Sequence, residues 1–577
     1  MEEQYPIGYI VGGSLKEGLF VRLSVSPEEV QEGSFVVCDS GNWRFYGLIT
    51  NLALGATNPR FADERPSRIE SPFIRQALMG KTLYTTIEMF PTLMMDRGPD
   101  PDIDPSGHLD WQDEVEKGKK GPQPVKTVPA HHVSVRLADR ADVDTIFKAP
   151  AESSFVIGHT LEQKHPINLD LRKLVKRSMG IFGATGTGKS YLTRMVLAGV
   201  MNLKDQGGEK APATIVFDMH NEYAFDIPNP DGTGQARGLS YLFGNKIQTV
   251  ALGKETIRGN RPDFDLLLTA KDITPEDVLL LSGMLNLTDT AASTLSALAS
   301  DFKENWFTKF MAMVPGKTEE RENDSGKVQK VPAPDSVEFW ANDSNVHPKA
   351  AAALHNKLMR IYRKEYVGER QAGNPINMII DALQNGRHIV LSFGKHDDEL
   401  DYLLVSNILT RRIREKWVQL TEQSHLDSDG KKPRPLVIAI EEAHKLLSPQ
   451  LSKQTAFGII ARELRKYFVT LLVVDQRPSG IDDEVMSQLG TRITGWLGDE
   501  DDIRAVLTGL AGRDQLRGML ARLQEKEEVL LLGWGVKMPI PVRSRRYDET
   551  FYEEMKGRKS STPQPSDDEL DEWFSYS

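Results

Sequence analysis

One loop of eight residues constrains the fold of this chain more than any other stretch. Residues 183–190 read GATGTGKS and fit the pattern Gly-x-x-x-x-Gly-Lys-Ser/Thr. Glycines let the backbone turn tightly, so that several N–H groups point at a phosphate. A short apolar run precedes the loop, and a stretch with apolar residues at helical spacing, Tyr191 to Leu203, follows it. A strand, a glycine loop and a helix N-terminus in this order predict a nucleotide site in an α/β fold.

The loop also predicts roles for individual side chains. Lys189 is expected to reach the β and γ phosphates of ATP, and the Ser190 hydroxyl is expected to bind Mg²⁺. The predicted nucleotide-binding residues are Gly183, Ala184, Thr185, Gly186, Thr187, Gly188, Lys189, Ser190, Tyr191 and, from a separate motif, Asp218.

A second motif supplies the carboxylates that hydrolysis requires. Residues 435–447 read PLVIAIEEAHKLL, and the apolar run Leu436 to Ile440 has the length and β-branching of a buried parallel strand. Glu441 and Glu442 follow it directly. We predict that Glu441 holds the metal and that Glu442 is the catalytic base that orients water toward the γ-phosphate. The alternative is the acidic, solvated first turn of a helix without chemistry.

Two further strand ends carry polar residues. The stretch ATIVFDMHNEYAF places Asp218 where ligands bind in an α/β sheet, although an Asx-type turn without chemistry is the alternative. Gln476 ends the strand in VTLLVVDQRPSG, where its amide could contact the γ-phosphate or the attacking water. Arg462, Arg465 and Lys466 precede that strand. Each is either a cation offered to a neighbouring subunit's nucleotide or part of a solvated helix face.

Length and composition restrict the class of protein. A chain of 577 residues is long enough for two or three domains. Its single cysteine fits a reducing cytoplasm, and no apolar run approaches the roughly 18 residues of a membrane span, so we expect a cytoplasmic protein without a membrane anchor. The net charge of −11 argues against a surface coated by nucleic acid, but it allows a local basic channel.

The pattern of short strands and helical stretches predicts three regions. Residues 1–165 are expected to form a small β-barrel, with a long surface loop or mobile insertion over 94–125. Residues 166–545 are expected to form the α/β domain, with a helical insertion over about 271–383 that a disordered charged run, 315–334, divides. Residues 546–577 are expected to form an extension and a disordered acidic tail.

The ordered set GATGTGKS, DMHNEY, VIAIEEAHKLL and ELRKY followed by VDQRPSGID resembles the HerA ATPases of the HerA/FtsK group. The resemblance extends to about residue 545. It implies a RecA-like P-loop NTPase domain with an inserted helical bundle behind a HAS-like barrel. It also implies a homohexamer that hydrolyses ATP at subunit interfaces and translocates double-stranded DNA. Lys189, Ser190, Glu441, Glu442 and Gln476 would line the nucleotide.

The resemblance also favours one cation and a class of partner. It implies that Arg465 is the finger offered to the next subunit, with Lys466 as an alternative. The barrel resembles one that docks an effector, either a NurA-like nuclease in DNA-end processing or a nuclease or sirtuin-like NADase in anti-phage defence. Two motifs differ from the forms that are more common in the family. DMHNEY replaces DPHGEY, and Asp475 occupies a position where serine is frequent. The alternative function is a nucleotide-dependent ring scaffold that activates a separate effector and translocates little DNA.

Overall fold

The computed structural model describes most of the chain, and for residues 83, 116, 464 and 465 it describes the backbone only. The described residues are 5–56, 83–162, 164–229, 232, 234–254, 256–322, 328–368, 374–426 and 432–557. The chain divides into two compact units, Met1–Val196 with Asp475–Ser479 and Met486–Arg546, and Leu197–Val474 with Gly480–Val485 and Tyr547–Ser577.

A closed antiparallel barrel begins the first unit. Its strands are β1 (Gly8–Ser14), β2 (Gly18–Leu23), β3 (Phe35–Ser40), β4 (Trp43–Ala56), β5 (Leu83–Asp96) and β7 (Ser134–Leu137), with the short β6 (Gln123–Pro124). They pair in the order β2-β1-β7-β3-β4-β5, and β2 also pairs with β5, which closes the barrel. Apolar side chains alternate along the strands, so one face of each strand fills the interior. Val21, Ile49, Ile87 and Val135 are completely buried there.

The stretch predicted as a long loop over 94–125 contains a helix, α1 (Pro105–Glu116), as well as β6. Pro105 occupies the first helical position, and the Asp104 carboxylate accepts a hydrogen bond from Gly107 N at 2.9 Å. A proline start and an aspartate N-cap both stabilise a helix N-terminus. The composition that suggested a loop therefore includes helix-start signals.

A second sheet of the first unit contains the strand that precedes the glycine loop. Its order is β10-β23-β24-β25-β8-β9, with β10 and β23 parallel and the other pairs antiparallel. β8 therefore pairs with β25 and β9 rather than with a barrel strand. The bounds are β8 (Ser154–Thr160), β9 (Pro166–Asp170), β10 (Met179–Phe182), β23 (Thr491–Gly495), β24 (Glu528–Gly533) and β25 (Ile540–Ser544), with helices α2 (Arg140–Phe147), α3 (Leu171–Leu174), α16 (Glu500–Leu507) and α17 (Arg513–Arg522).

The second unit is built on a parallel sheet. The strands pair in the order β15-β14-β20-β11-β21-β22, and every pair is parallel. All residues of β11, β20, β21 and β22 are buried, as expected for central strands covered on both faces. The bounds are β11 (Ala213–Asp218), β14 (Ile247–Leu252), β15 (Phe264–Leu266), β20 (His388–Ser392), β21 (Leu436–Ile440) and β22 (Val469–Asp475), with the small pair β12 (Ile227–Pro228) and β13 (Gln235–Ala236).

Helices dominate the segment between β15 and β20. They are α6 (Pro275–Leu280), α7 (Ala291–Phe302), α8 (Trp306–Met311), α9 (Val337–Asp343), α10 (Pro348–Tyr362) and α11 (Pro375–Gln384), and the short strands β16 (Leu268–Thr269) and β19 (Val367–Gly368) pair with each other. The charged run 315–334, predicted to be disordered, instead contains the antiparallel strands β17 (Thr318–Glu322) and β18 (Val328–Pro332). Most of their side chains are exposed, so charge does not oppose their pairing.

Seven further helices are present among the described residues. They are α4 (Lys189–Asn202), α5 (Leu239–Phe243), α12 (Glu399–Leu426), α13 (His444–Leu447), α14 (Ala456–Glu463), α15 (Asp483–Gln488) and α18 (Glu549–Met555). α12 is the longest of the described helices, with 28 residues, and 14 of them are buried. The C-terminal extension folds onto its own unit, because the Tyr547 hydroxyl donates to Arg237 O at 2.8 Å. The predicted acidic tail lies outside the described residues.

The predicted fold class is confirmed. The chain is an α/β protein of the RecA-like P-loop type, with an N-terminal β-barrel and an inserted group of helices. The domain boundaries at 165 and 545 stay predictions. Among the described residues, no helix combines the length and apolar character needed to cross a bilayer.

Candidate functional site

The glycine loop leaves a buried strand and enters a helix, as its sequence predicts. All four residues of β10 are buried, and α4 begins at Lys189. Gly186 and Gly188 have φ values of 86° and 82°, in the left-handed region that side chains disfavour. Thr185, Gly186 and Gly188 are exposed, and Lys189 and Ser190 are partly exposed. The loop therefore presents its backbone to a ligand.

Two threonine hydroxyls fix the shape and surroundings of this loop. The Thr187 hydroxyl donates to Ala184 O at 2.8 Å, which closes the turn from within. The Thr185 hydroxyl donates to Gln476 Oε1 at 2.7 Å. Gln476 therefore lies beside the glycine loop, although 291 residues separate it from Thr185 in sequence. This position is compatible with its predicted contact to the γ-phosphate or the attacking water.

The second unit carries the paired glutamates at the end of β21. Glu441 is 7% exposed, and its Oε2 accepts a 3.4 Å hydrogen bond from His220 N. The Tyr402 hydroxyl donates to Glu441 O at 2.7 Å, which ties α12 to the end of this strand. Burial, with the negative charge of Asp218 as a further cause, raises the pKa of Glu441 well above its usual range. A cation beside Glu441 would therefore stabilise its ionised form.

Glu442 occupies a different environment from its neighbour. Its φ is 45°, an uncommon left-handed value for a residue with a side chain. Its Oε2 lies 3.5 Å from His444 Nδ1, and its Oε1 lies 4.0 Å from His220 Nε2. The side chain is 13% exposed, whereas that of His220 is 46% exposed. The carboxylate is thus held between two imidazoles at the edge of solvent, which suits a base that must meet water.

Asp218 is used by the protein itself. It is fully buried at the end of β11. Its Oδ1 accepts from Glu222 N at 2.7 Å, and its Oδ2 accepts from Tyr223 N at 3.0 Å. These are the hydrogen bonds of the turn that was the alternative interpretation of DMHNEY. A direct role of Asp218 in nucleotide binding stays a prediction, while its negative charge acts on Glu441.

The three cations ahead of β22 have different surroundings. Arg462, on α14, donates to Glu484 Oε2 at 2.9 Å and to Ser452 O at 3.1 Å, so its guanidinium is already bonded within the chain. Lys466 is exposed, with its ammonium 4.9 Å from the Tyr467 ring centre. Arg465 lies in the 3₁₀ turn Leu464–Tyr467, for which the structure describes its backbone only. Its choice as the finger stays a prediction.

Comparison with known proteins relates this chain to one family across nearly its whole length. A family model described as "Helicase HerA, central domain" matches residues 155–413. A protein named DNA double-strand break repair helicase HerA, from Sulfolobus acidocaldarius, is 24% identical over 94% of this chain and 93% of its own. A protein of the same name from Sulfurisphaera tokodaii is 23% identical over 97% and 98%. These matches support a HerA-type ATPase.

Solved structures give weaker matches to this chain. VirB4 of Thermoanaerobacter pseudethanolicus matches 69% of this chain and 98% of its own, with 16% identity and a TM-score of 0.43. The bacterial conjugative coupling protein TrwBdeltaN70 matches 71% and 92%, with 11% identity and a TM-score of 0.42.

The oxygen donors predicted to hold a metal suit Mg²⁺. This ion prefers hard oxygen ligands and usually binds through one or two carboxylates together with substrate phosphates. The Glu441 carboxylate in the second unit is such a ligand, and the Ser190 hydroxyl in the first unit is another group of this kind. Glu441 shares its buried surroundings with Asp218, and a divalent cation would offset the repulsion between the two carboxylates.

The sequence predicted the loop and the glutamates as site residues, but it did not predict the residues that contact the glutamates. His444 stands three residues after Glu441 within the stretch EEAHKLL, yet its spacing alone does not show that it contacts Glu442. Tyr402 lies on a helix distant in sequence, and nothing in its local pattern indicates a contact with Glu441. The Tyr402 contact arises because α12 lies beside the end of β21 in the folded chain.

Proposed function

We propose that this chain is an ATP-driven motor that acts as a homohexamer and translocates double-stranded DNA. The observation that carries the proposal is the arrangement at the end of β21, where Glu441 is buried and Glu442 reaches solvent between two imidazoles. Such a pair is suited to hydrolysis as well as binding. Kinship with proteins named DNA double-strand break repair helicase HerA supports DNA as the substrate on which the motor acts.

The chemistry proposed for the site assigns one task to each side chain. Lys189 binds the β and γ phosphates of ATP, and Gln476 contacts the γ-phosphate or the attacking water. Glu442 accepts a proton from that water. At the same time the oxygen of the water bonds to the γ-phosphorus, and the bond between the γ-phosphorus and the bridging β–γ oxygen breaks. Ser190 and Glu441 would hold Mg²⁺, which when bound would neutralise charge on the phosphates.

A complete site would need a second subunit. Arg465 would reach the nucleotide of the neighbouring subunit, where a fixed guanidinium stabilises charge on the transferring phosphoryl group. Its backbone lies in the 3₁₀ turn that joins α14 to β22. The internal ion pair of Arg462 with Glu484 supports Arg465 over Arg462 for this role.

The N-terminal barrel is the proposed docking module for an effector. Its closed topology leaves the strand edges paired, so a partner would bind its loops and outer face. We propose a nuclease of the NurA type, another nuclease or a sirtuin-like NADase as that partner, in DNA-end processing or in anti-phage defence. We further propose that the complex works in the cytoplasm.

The proposal is tested by measuring the steady-state rate of ATP hydrolysis with and without linear double-stranded DNA across a salt series. Glu442→Gln serves as the inactive control. A motor that grips phosphates should be stimulated by DNA, and the stimulation should fall steeply as salt rises because counterions compete for the backbone. Light scattering in the presence of ATP would measure whether six copies assemble. Hydrolysis that is indifferent to DNA at every salt concentration would contradict the motor and favour a scaffold.

A further inference from the structure

Three helices of the second unit meet through one buried amide. Asn407 projects from α12 and is 6% exposed. Its Nδ2 donates to Asp277 Oδ1 at 2.9 Å, and its Oδ1 accepts from Ala456 N at 2.9 Å. Asp277 belongs to α6 in the helical insertion, and Ala456 is the first residue of α14. Asn407 therefore links the insertion to the beginning of α14.

The surrounding groups fix the orientation of this amide. Asp277 is 1% exposed, and its Oδ2 accepts from Thr274 N and from Arg411 Nη2, both at 2.9 Å. An ionised carboxylate only accepts hydrogen bonds, while a backbone N–H only donates them. The Asn407 amide nitrogen must therefore face Asp277, and its oxygen must face Ala456. One rotamer satisfies both partners, which makes the amide a rigid spacer.

This spacer holds the helix that leads to the predicted finger. α14 runs from Ala456 to Glu463, and the 3₁₀ turn that contains Arg465 follows without a break. A helix of this length spans roughly 12 Å, so a tilt at its first residue is carried directly to its other end. At that other end, Arg462 bonds Ser452 and Glu484. Hydrogen bonds thus hold both ends of α14, and the one at its first residue is made by Asn407 of α12.

We propose that Asn407 is a positioning residue for the trans-acting Arg465, and that the helical insertion fixes the finger through Asp277. The inference rests on the proposed function, because it needs a finger that acts on a neighbouring subunit. It goes beyond that function by naming Asn407 as the residue that determines the position of Arg465. α12 also contacts the subunit's own catalytic strand, through Tyr402 and Glu441 O. α12 therefore contacts the catalytic strand β21 of its own subunit and also α14, which leads to the finger offered to the neighbouring subunit.

The first test is the nearly isosteric Asn407→Leu, which removes both hydrogen bonds and keeps the side-chain volume. A displaced finger should lower kcat by roughly ten- to hundredfold, the effect of a misplacement of about 1 Å, while KM for ATP stays near wild type. Ser406→Ala is the matched control. Ser406 is the adjacent residue of α12, is fully buried, and its hydroxyl has no hydrogen-bond partner among the described residues. It should leave kcat unchanged.

Mixed rings separate positioning of the finger from damage to a subunit's own site. An Asn407→Leu subunit keeps its base, and a Glu442→Gln subunit keeps its finger, so mixing the two should build active composite sites. Activity above that of either variant alone is the expected result. A parallel mixture of Arg465→Ala with Glu442→Gln tests the trans site itself. Recovery there without recovery for Asn407→Leu overturns this inference alone, while failure of both mixtures overturns the trans site on which it rests.

An exchange of partners tests the hydrogen bonds even if Asn407→Leu does not fold. Asn407→Asp alone places two carboxylates side by side and should lower kcat. Asn407→Asp combined with Asp277→Asn restores a donor facing an acceptor and leaves an oxygen for Ala456 N, so kcat should return to within about twofold of wild type. Wild-type kcat in Asn407→Asp alone, or no recovery in the pair, would contradict the proposed role.

Discussion

His388 should make the central sheet of the second unit sensitive to acid. It begins β20, which lies between β14 and the strand that ends at Asp218. The residue is 5% exposed, and burial lowers the pKa of its imidazole from 6.5 to about 4, with smaller contributions from Lys246 and Arg434. The native sheet therefore holds a neutral ring at a pH where an exposed histidine is charged.

The sign and size of the effect follow from proton binding. As pH falls below about 6.5, the unfolded chain binds a proton at this residue, whereas the native sheet does not do so until about pH 4. The free energy of unfolding must therefore decrease with falling pH across this window. The shift of about 2.5 units corresponds to about 3 kcal/mol in total, of which about 2 kcal/mol should be lost by about pH 5.

The assay compares wild type with His388→Gln, which removes the titratable ring. Amide hydrogen exchange of β20, measured at about pH 7.5 and about pH 5, gives the free energy of opening of this strand in both proteins. The pKa values of His159, His165 and His355 are also lowered by burial, but these residues titrate in both proteins and cancel in the difference. Equal losses of opening free energy in the two proteins would refute the reasoning.

Four further outcomes are expected. Glu442→Gln should bind ATP in an equilibrium titration while turnover falls by about 10²- to 10⁴-fold, the range for loss of a general base; turnover near wild type would show that the base lies elsewhere. Lys189→Ala should lose nucleotide binding in the same titration, and retained affinity would contradict its phosphate contact. Thr185→Val removes the 2.7 Å hydrogen bond to Gln476 and should reduce discrimination between ATP and ADP, whereas unchanged discrimination would assign this bond a structural role only. Burial raises the pKa of the Cys38 thiol to about 12, so a disulfide reagent at neutral pH should label it only when the barrel opens, and fast labelling of the native protein would contradict that burial.

The parts of the fold that sequence predicted best were the strands with unbroken apolar runs. The predicted strand Leu436 to Ile440 matches β21 residue for residue, and the short run before the glycine loop contains β10. Both strands are buried on both faces, so apolar residues occupy nearly every position and the burial can be predicted from the sequence. Motif spacing then gave the glycine loop, with Gly186 and Gly188 in the left-handed backbone that the pattern demands.

Other features could not be predicted from the sequence because they do not depend on buried apolar residues. Strands β17 and β18 are charged and largely exposed, so composition alone indicated disorder where two antiparallel strands pair. Asp218 was visible as a polar residue at a strand end, but its hydrogen bonds to Glu222 N and Tyr223 N depend on how the next turn folds. The Asn407 contacts depend on the packing of three helices that are far apart in sequence.

The contrast between the two adjacent glutamates is the strongest physical argument for their division of labour. Side chains alternate between the two faces of a strand, but β21 ends at Ile440 and the backbone turns into the left-handed region at Glu442. Glu441 is therefore left buried beside Asp218, where burial raises its pKa and a cation would be favourable. Glu442 is carried out to the edge of solvent between His220 and His444. Local strain of this kind persists where the surrounding structure holds it, and here it places the proposed base where water can reach it.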